Sequence, residues 1–396
     1  MSRSVVVVDG ARTPFDKFGG VMKDLNTVEL AAYVTRKLIE RNSVSPDEIE
    51  EYYLGINMPT SNRSIARQAA LASGLPVTVN ATTTDRACCS SMVAIAMAMR
   101  AIQIGDTDIA ICGGSENMSN VPYFLEDLRW GKRLGEVTLK DILYVSCPYT
   151  GEPRAKQAGE VALEYGVTRE MQDEWAFRSQ KLYDEAFKAG KFEEEIVPLE
   201  LPQKKGEALL VKDDQSPRPT TTIEALAKLQ PVNKSPTVTA GNAPGLSTGA
   251  ALVLLMSDDE AKKRGIKPLA TIIAHAQASE HPKGIASIPA FAAKKALKKA
   301  GMTVEQMGII EINEAFAAMP LVSTILMGDR DEARIAAIRA KTNVNGGAIA
   351  IGHPTGASGA RLLMTMAYEL RRRGGGYGLC TICGGVGEGE CFIINV

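Results

Sequence analysis

Four consecutive valines, Val5 to Val8, form the first apolar run of the chain. A run without polar alternation reads as a strand buried on both faces. After the loop Gly10-Ala-Arg-Thr-Pro14, apolar positions recur at helical spacing over about 27–41. Asn26 and Glu29 stand at the spacing of a capping box. Ser45-Pro46-Asp47-Glu48 predicts a further helix start, with proline at the first helical position. Residues 90–104 (Ser-Ser-Met-Val-Ala-Ile-Ala-Met-Ala-Met-Arg-Ala-Ile-Gln-Ile) are apolar nearly all round, which predicts a helix buried on most faces. Gly105-Asp106 then leads to an apolar strand over 108–112 that ends in Gly113-Gly114.

The pattern changes over 121–246. This stretch is charged, contains Gly-Glu-Pro-Arg and Ser-Pro-Arg-Pro turns, and holds one long polar-faced helix at about 168–189, closed by Gly190. It reads as a large excursion from the core that shapes a binding site. The core pattern returns at 247. Ser257 and Glu260 have capping-box spacing, Gly265 closes a short helix, and a helix over about 289–300 is closed by Gly301. The ends of the chain look alike. Gly105, six residues and Cys112-Gly-Gly match Gly376, six residues and Cys383-Gly-Gly, each after an apolar helix (90–104 and 357–371). These matches predict an α/β core duplicated over 1–120 and 247–396, with a domain inserted at 121–246.

Composition narrows the function. At 396 residues, 45% hydrophobic and 23% charged, the chain can bury a large core in two or three domains. A net charge of -1 supplies no field for nucleic acid or an anionic membrane, so neither is expected as a partner. No stretch reads as long and charge-free enough to span a bilayer. The start Met1-Ser2-Arg3 shows no signal-peptide pattern, and the ending Ile-Ile-Asn-Val carries no peroxisomal or prenylation motif. Seven cysteines, an odd number set mostly in apolar runs, argue for a reducing, cytoplasmic compartment over a disulfide framework.

The candidate chemistry lies in four short segments. His353, one of three histidines, sits in the glycine-rich loop Asn345-Gly-Gly-Ala-Ile-Ala-Ile-Gly-His353-Pro-Thr-Gly-Ala-Ser-Gly359. An imidazole held there can act as a general base near neutral pH. Cys88 precedes the apolar helix, where unpaired N–H groups and the helix dipole favour a thiolate and can hold an oxyanion. Its neighbour Cys89 leaves the assignment open on local sequence alone. Cys383 forms a Cys-x-x-Cys with Cys380, but residues three apart on a strand face opposite sides, so no metal site is expected. Asn313-Glu314 has the form of a strand-to-helix turn. Two thiols, an imidazole and an amide are the groups needed to make or break a carbon–carbon bond beside a thioester.

Along nearly its full length the chain resembles the thiolase family. The matching segments are Val8-Asp-Gly-Ala-Arg-Thr-Pro14, Asp85-Arg-Ala-Cys88, Cys112-Gly-Gly-Ser-Glu-Asn-Met-Ser119, Val238-Thr-Ala-Gly-Asn-Ala243-Pro244-Gly245, Asn313-Glu-Ala-Phe316-Ala317, Asn345 to Gly359, and Cys383-Gly-Gly385-Val-Gly387. The resemblance implies a duplicated core of two βαβαβαββ halves layered α-β-α-β-α, with an inserted loop domain. It implies an acyltransferase of fatty-acid β-oxidation type that cleaves a 3-ketoacyl-CoA to acetyl-CoA and a shortened acyl-CoA, or runs the reverse condensation. Coenzyme A would be a co-substrate, with no tightly bound cofactor, and the enzyme a homodimer or homotetramer. Cys88 would carry the acyl group, His353 take its proton and Cys383 move the proton at the α-carbon. Asn313 would hold a water in one oxyanion hole, and the amides of Cys88 and Gly385 would form another. Arg218 would contact CoA, and Ala243, Pro244 and Phe316 would line the substrate site.

Departures from the family pattern concentrate in the substrate region. Asp85 stands for a usual Asn and Ser91 for a Gly. A pocket-lining His-Met appears as Pro153-Arg154, and about eight extra residues around 327–340 precede the histidine loop. Arg154, with Lys156, is a candidate to pair with a carboxylate or other polar group on the acyl chain; the alternative is that both face solvent. Rival readings are a β-ketoacyl synthase-like condensing enzyme, a non-catalytic acyl-CoA binder on the same scaffold, and a zinc or redox protein. A nicotinamide dehydrogenase is disfavoured, because no strand–Gly-x-Gly-x-x-Gly–helix unit follows the valine strand.

Overall fold

The computed structural model describes residues 3–144 and 146–396. The first half runs β1 (Val5–Arg12), α1 (Thr27–Asn42), β2 (Glu51–Gly55), α2 (Ile65–Ala72), β3 (Asn80–Thr84), α3 (Ser90–Ile104) and β4 (Ile109–Asn117). The insertion holds α4 (Arg154–Glu164) and α5 (Arg169–Lys188), and β5 (Ser247–Ser257) follows it. The second half runs β6 (Ala270–Ser279), α6 (Ile288–Ala300), β7 (Met307–Ile312), α7 (Ala318–Met327), α8 (Glu332–Ala340), α9 (Ser358–Arg372), β8 (Tyr377–Gly384) and β9 (Glu388–Asn395).

The strand order shows the duplication. The first half reads β3-β2-β4-β5-β1 across its sheet, and the second reads β7-β8-β9-β6. β2 pairs in parallel with β3 and β4, as β7 does with β8. The third strand of the second half is reduced to one parallel bridge between Ile310 and Thr342. With that bridge counted, both halves have the same order, and Cys112 and Cys383 lie on corresponding strands. The halves join edge to edge where Val6 and Val7 of β1 pair with Thr271 and Ala270. The division expected at 246/247 shifts: β5 pairs antiparallel with both β1 and β4, so 247–257 closes the first half's sheet.

Side-chain alternation sorts the core into layers. Val5 and Val7, with Val253 and Leu255 of β5, face a middle layer made by α3 (Met92, Ile95, Ile102) and α9 (Leu362, Leu363, Met366). The same layer takes Ile382, Phe392 and Ile394 from the second sheet. Val6 and Val8 face outward onto α1 and α2. Ile310, Leu379 and Ile393 face outward onto α6. The order is helix, sheet, helix, sheet, helix. The middle layer is covered on both sides, which explains why 90–104 shows no polar face. By length and composition the segment Ala87–Ile104 is long and apolar enough to cross a bilayer, contrary to the sequence expectation. Here it is the central helix, and burial between two sheets accounts for its hydropathy. Each buried Leu, Ile or Met of this layer contributes roughly 1.5–3 kcal/mol.

Local signals placed most helices closely, although the start expected at Ser45-Pro46 opens only a 3-10 turn, Pro46–Glu48. Asn26 accepts from the Glu29 amide and the Glu29 side chain returns the bond, so α1 begins in a full capping box. Gly105 and Gly301 end α3 and α6 in left-handed geometry, at φ 87° and 66°. One close approach holds the two halves of the site together. A Cβ on Gly114 of β4 would lie 1.9 Å from the Gly356 carbonyl in the histidine loop. Gly114→Ala is therefore expected to lower the urea midpoint by an amount equivalent to roughly 1–3 kcal/mol or more. An unchanged midpoint would show that the loop does not pack on β4 in this way.

Candidate active site

The segment that carries Cys88 is a short turn between β3 and α3. Asp85 Oδ1 accepts from the Ala87 amide at 3.0 Å, and the Arg86 amide donates to Ser90 Oγ at 2.8 Å. The Cys89 amide donates to the Arg86 carbonyl at 3.0 Å. These bonds hold Ala87 at φ 47°, in the left-handed region, at a cost of about 1–2 kcal/mol for a residue with a Cβ. The turn separates the two adjacent thiols. Cys89 points into the core towards the Ile382 carbonyl, whereas half-buried Cys88 faces a cavity. Cys88 is thus the accessible one of the pair.

The second half brings His353 and Cys383 to the same cavity, with Asn313 behind the histidine, outside the cavity lining. Asn313 follows β7, with its amide on the Thr381 carbonyl at 3.0 Å. Its Nδ2 lies 3.3 Å from His353 Nε2, and its Oδ1 is buried without a partner among the described residues. His353 Nδ1 is 2.7 Å from Ser358 Oγ, which itself donates to the Pro354 carbonyl at 3.0 Å. The single hydroxyl proton is committed to Pro354, so Nδ1 carries the ring proton and donates to Ser358. Nε2 is then left as the basic nitrogen towards the cavity. Cys383 also lines the cavity, while Cys380 lies in the middle layer with Phe392, so the Cys-x-x-Cys thiols face opposite sides of β8.

Burial sets the proton inventory. Desolvation, helped by the charge of Arg361, lowers His353 to about 3, so the imidazole is neutral throughout the neutral range. Burial pushes Cys383 up to about 12 and raises Cys88 further, with Cys383 and Glu116 adding to the rise; Arg154 opposes both shifts. The resting site holds two thiols and a neutral base.

Two buried carboxylates fix these loops. Glu116 of β4 accepts from the amides of Asn57 (3.1 Å) and Gly356 (3.0 Å) and from the Thr355 hydroxyl (2.7 Å). Burial raises it to about 7 against those hydrogen bonds. Glu314 accepts from Trp175 Nε1 (2.8 Å), Ser179 Oγ (2.8 Å), Asn343 Nδ2 (2.9 Å) and the Ile349 amide (3.1 Å), tying the Asn313 turn to α5. Neither these carboxylates nor Ser358 was singled out from the sequence. Glu116 and Glu314 stand inside matched motifs, which was the available signal.

The cavity has a volume of about 700 Å³. Cys88, His353, Cys383, Gly385, Ala243, Pro244, Phe316 and Arg154 all line it. Arg218 does not. It is exposed and lines a separate polar groove of about 320 Å³ with Lys17, Gln180 and Gln215, which adjoins the cavity through Ala240, Ala243 and Gly245. The two basic candidates of α4 also part company. Lys156 is held on the helix surface by Glu152 and Glu160 (3.4 Å). Arg154 turns inward, donates to Gln157 Oε1 at 3.2 Å, and lies 3.4 Å from where a Cβ on Gly385 would stand. It has no carboxylate partner among the described residues. Beside it, covering raises the Cys147 thiol, but bonds from Thr150 and Arg154 outweigh that and bring it to about 6.

The chain is similar to known proteins over its whole length. The family model for the thiolase N-terminal domain matches residues 5–259, and that for the thiolase C-terminal domain matches 266–396. The chain belongs to the thiolase family. It is 43% identical to an acetyl-CoA acetyltransferase of Cupriavidus necator, over 99% of each chain. It is 42% identical to a beta-ketoadipyl-CoA thiolase of Acinetobacter baylyi, over 98% of each. The crystal structure of the Bacillus anthracis acetyl-CoA acetyltransferase superposes with a TM-score of 0.95 at 37% identity, covering 100% of this chain and 99% of that one. Human mitochondrial 3-ketoacyl-CoA thiolase in complex with CoA superposes with a TM-score of 0.92 at 36% identity, covering 99% and 98%. The protein is thus a thiolase, an acyltransferase acting on CoA thioesters.

The depressed histidine makes a prediction for stability. From pH 6.5 down to about 3 the unfolded chain binds a proton at His353 that the folded chain does not, so acid favours unfolding across that window. Relative to wild type, His353→Asn should soften the loss of stability on acidification below pH 6.5 by up to about 1.4 kcal/mol per pH unit. Urea titrations at pH 7, 6 and 5 measure it. Parallel pH dependences in the two proteins would mean that His353 is solvated and normally basic.

Proposed function

We propose that this thiolase acts on 3-ketoacyl-CoA substrates whose acyl group is short and ends in a carboxylate, through an acyl intermediate on Cys88. The observation that carries the substrate reading is Arg154, a cavity-lining guanidinium with no carboxylate partner, set against Gly385. A planar fork of N–H donors suits a carboxylate bidentately. Its closeness to Gly385 and to both thiols puts the anionic end within a few bonds of the reacting carbons, which favours a short diacid chain over a long fatty one. The beta-ketoadipyl-CoA thiolase relatives, 42% identical over nearly the whole chain, support the reading.

The chemistry follows from the proton inventory. Cys88 is a thiol and His353 a weak, neutral base, so a free thiolate–imidazolium pair is uphill in the empty site. Proton transfer to Nε2 therefore accompanies attack of Sγ on the 3-keto carbon, as charge moves onto the ketone oxygen. The amides of Cys88 and Gly385 receive that oxyanion. When the carbonyl re-forms, the bond between the α and β carbons breaks, and the electron pair goes to the α-carbon. Cys383 gives that carbon its proton, and acetyl-CoA leaves. Charge that builds on the thioester oxygen is met by His353, now protonated, and by a water held on Asn313. CoA then gives its thiol proton to the site and takes the acyl group from Cys88. A thiol raised to about 12 suits Cys383, because it protonates a carbanion readily and can serve as base in the reverse direction.

The CoA nucleotide would lie along the groove of Arg218 and Lys17. We also place the enzyme in a reducing compartment such as the cytoplasm, where its seven free cysteines stay reduced, and assign it a homo-oligomer. Two features support the oligomer. β3 is a free edge of its sheet, and the excursion after β4 exposes Trp130 and Leu134, at 91% and 85%.

Two measurements test the proposal. Mixing with acetoacetyl-CoA without free CoA should add an acetyl mass to the peptide carrying Cys88, and Cys88→Ala should abolish it; an adduct on another residue sinks the assignment. For Arg154→Met, kcat/KM on carboxylated 3-ketoacyl-CoA should fall about 10- to 100-fold more than on plain chains. An equal fall on both would show that Arg154 does not read the acyl terminus.

A further inference from the structure

A partly buried ionic strut joins the nucleophile turn to the second half of the molecule. Arg86, two residues before Cys88, reaches across with Nη1 2.5 Å from Glu390 Oε1 and also bonds Gln277. Its Nε stands 3.5 Å from Glu388. Glu390 is buried in β9, and its other oxygen is 2.5 Å from Nε2 of buried His275 on β6. His275 is in turn held against the Phe392 ring, with centroids 4.6 Å apart. Carboxylate, imidazole and amide lie side by side on neighbouring strands, since Gln277 pairs with Glu390 and His275 with Phe392.

Stability alone gives little reason for this arrangement. A half-buried guanidinium on a buried carboxylate is often no better than apolar residues of the same size, because desolvation offsets the attraction. The pair does fix geometry. Its arginine adjoins Ala87, whose left-handed φ of 47° must be maintained by its surroundings. Its carboxylate sits on the strand that hairpins back onto Cys383, through the pairing of Cys383 with Gly389. The strut therefore spans the gap between the two thiols from behind, without touching the cavity.

We propose that Glu390 is a positioning residue which, through Arg86, fixes the nucleophile turn relative to the strand of Cys383. This rests on Cys88 carrying the acyl group and Cys383 moving the α-proton. The reaction needs both thiols within reach of adjacent carbons of one substrate, and a shift of about 1 Å can cost on the order of a hundredfold in rate.

Three variants test it: Glu390→Gln, Arg86→Met, and the double variant with both Arg86→Met and Glu390→Met. The readouts are thermal midpoint, KM, kcat and the rate of acyl-Cys88 formation by rapid-quench mass spectrometry. Glu390→Gln is expected to slow acylation and kcat by about 10- to 100-fold with KM changed less than threefold. The double variant, which removes the buried carboxylate together with its guanidinium, should have a midpoint closer to that of the wild type than either single variant yet stay as slow as they are. That split between stability and rate is the signature of positioning. Recovery of kcat together with the midpoint overturns the proposal, as does a kcat that falls only in proportion to the folded fraction. A wild-type enzyme that carries its acyl group away from Cys88 overturns the nucleophile assignment, and the proposal with it.

Discussion

The close approach of α3 and α9 is the contact on which the rest of this structure depends. Duplication places one helix from each half in the same middle layer, and their N-terminal ends meet. The Ala360 amide donates to Ser91 Oγ at 3.1 Å, and Gly359 packs on Met92 so tightly that a Cβ there would fall 2.7 Å from its side chain. Cys88 lies just before the start of one helix, and His353 just before the start of the other. The candidate site thus lies at the seam between two copies of one motif. The repeat Cys-Gly-Gly adds the second thiol: Cys112 and Cys383 occupy equivalent strands, but Cys112 is closed into the core and Cys383 opens to the cavity. The two thiols sit on opposite faces of equivalent strands, Cys112 towards the middle layer and Cys383 away from it.

The same burial governs reactivity. Burial raises the Cys88 thiol and lowers the His353 imidazole, so both rest neutral in the empty site. The positive groups near the thiols then matter for their placement. Arg361 acts on the histidine from behind the site, where it pairs with Glu311 at 3.1 Å, and so discourages a resting imidazolium. Arg154 acts from the cavity side and eases both thiols towards the thiolate.

Much of this was legible in the sequence, for reasons that can be named. Helix ends were readable because capping is local: Asn26 with Glu29, Gly105 and Gly301 all act within one turn. The central helices were readable because burial on every face leaves no polar stripe. The duplication was readable from two short glycine-cysteine matches, since the tight strand ends they mark recur with the fold. The membership of 247–257 was not, because strand pairing is set by partners more than a hundred residues away. Local sequence did not separate Cys88 from Cys89, and only the resemblance named Cys88; which thiol faces the cavity depends on a left-handed Ala87 that no propensity marks. The opposite fates of Arg154 and Lys156 were also hidden. They lie two positions apart on one helix, and only the orientation of α4 against the core decides which one faces the cavity.

That orientation bears on how a thiolase acquires a new substrate. Arg154 brings a full charge to the cavity wall beside Gly385, where an apolar side chain would leave none. An unpaired guanidinium in a desolvated cavity is costly unless a bound group offsets it. Gln157 offers it one neutral oxygen, and the lowered Cys147 thiol gives it a partial counter-charge at the cavity wall. A carboxylated acyl chain would complete that pairing and, by doing so, would lower the barrier to binding for anionic chains and leave it in place for neutral ones. Selectivity of this kind needs no reshaped cavity. It needs one charged residue whose resting partner is weaker than the substrate it admits.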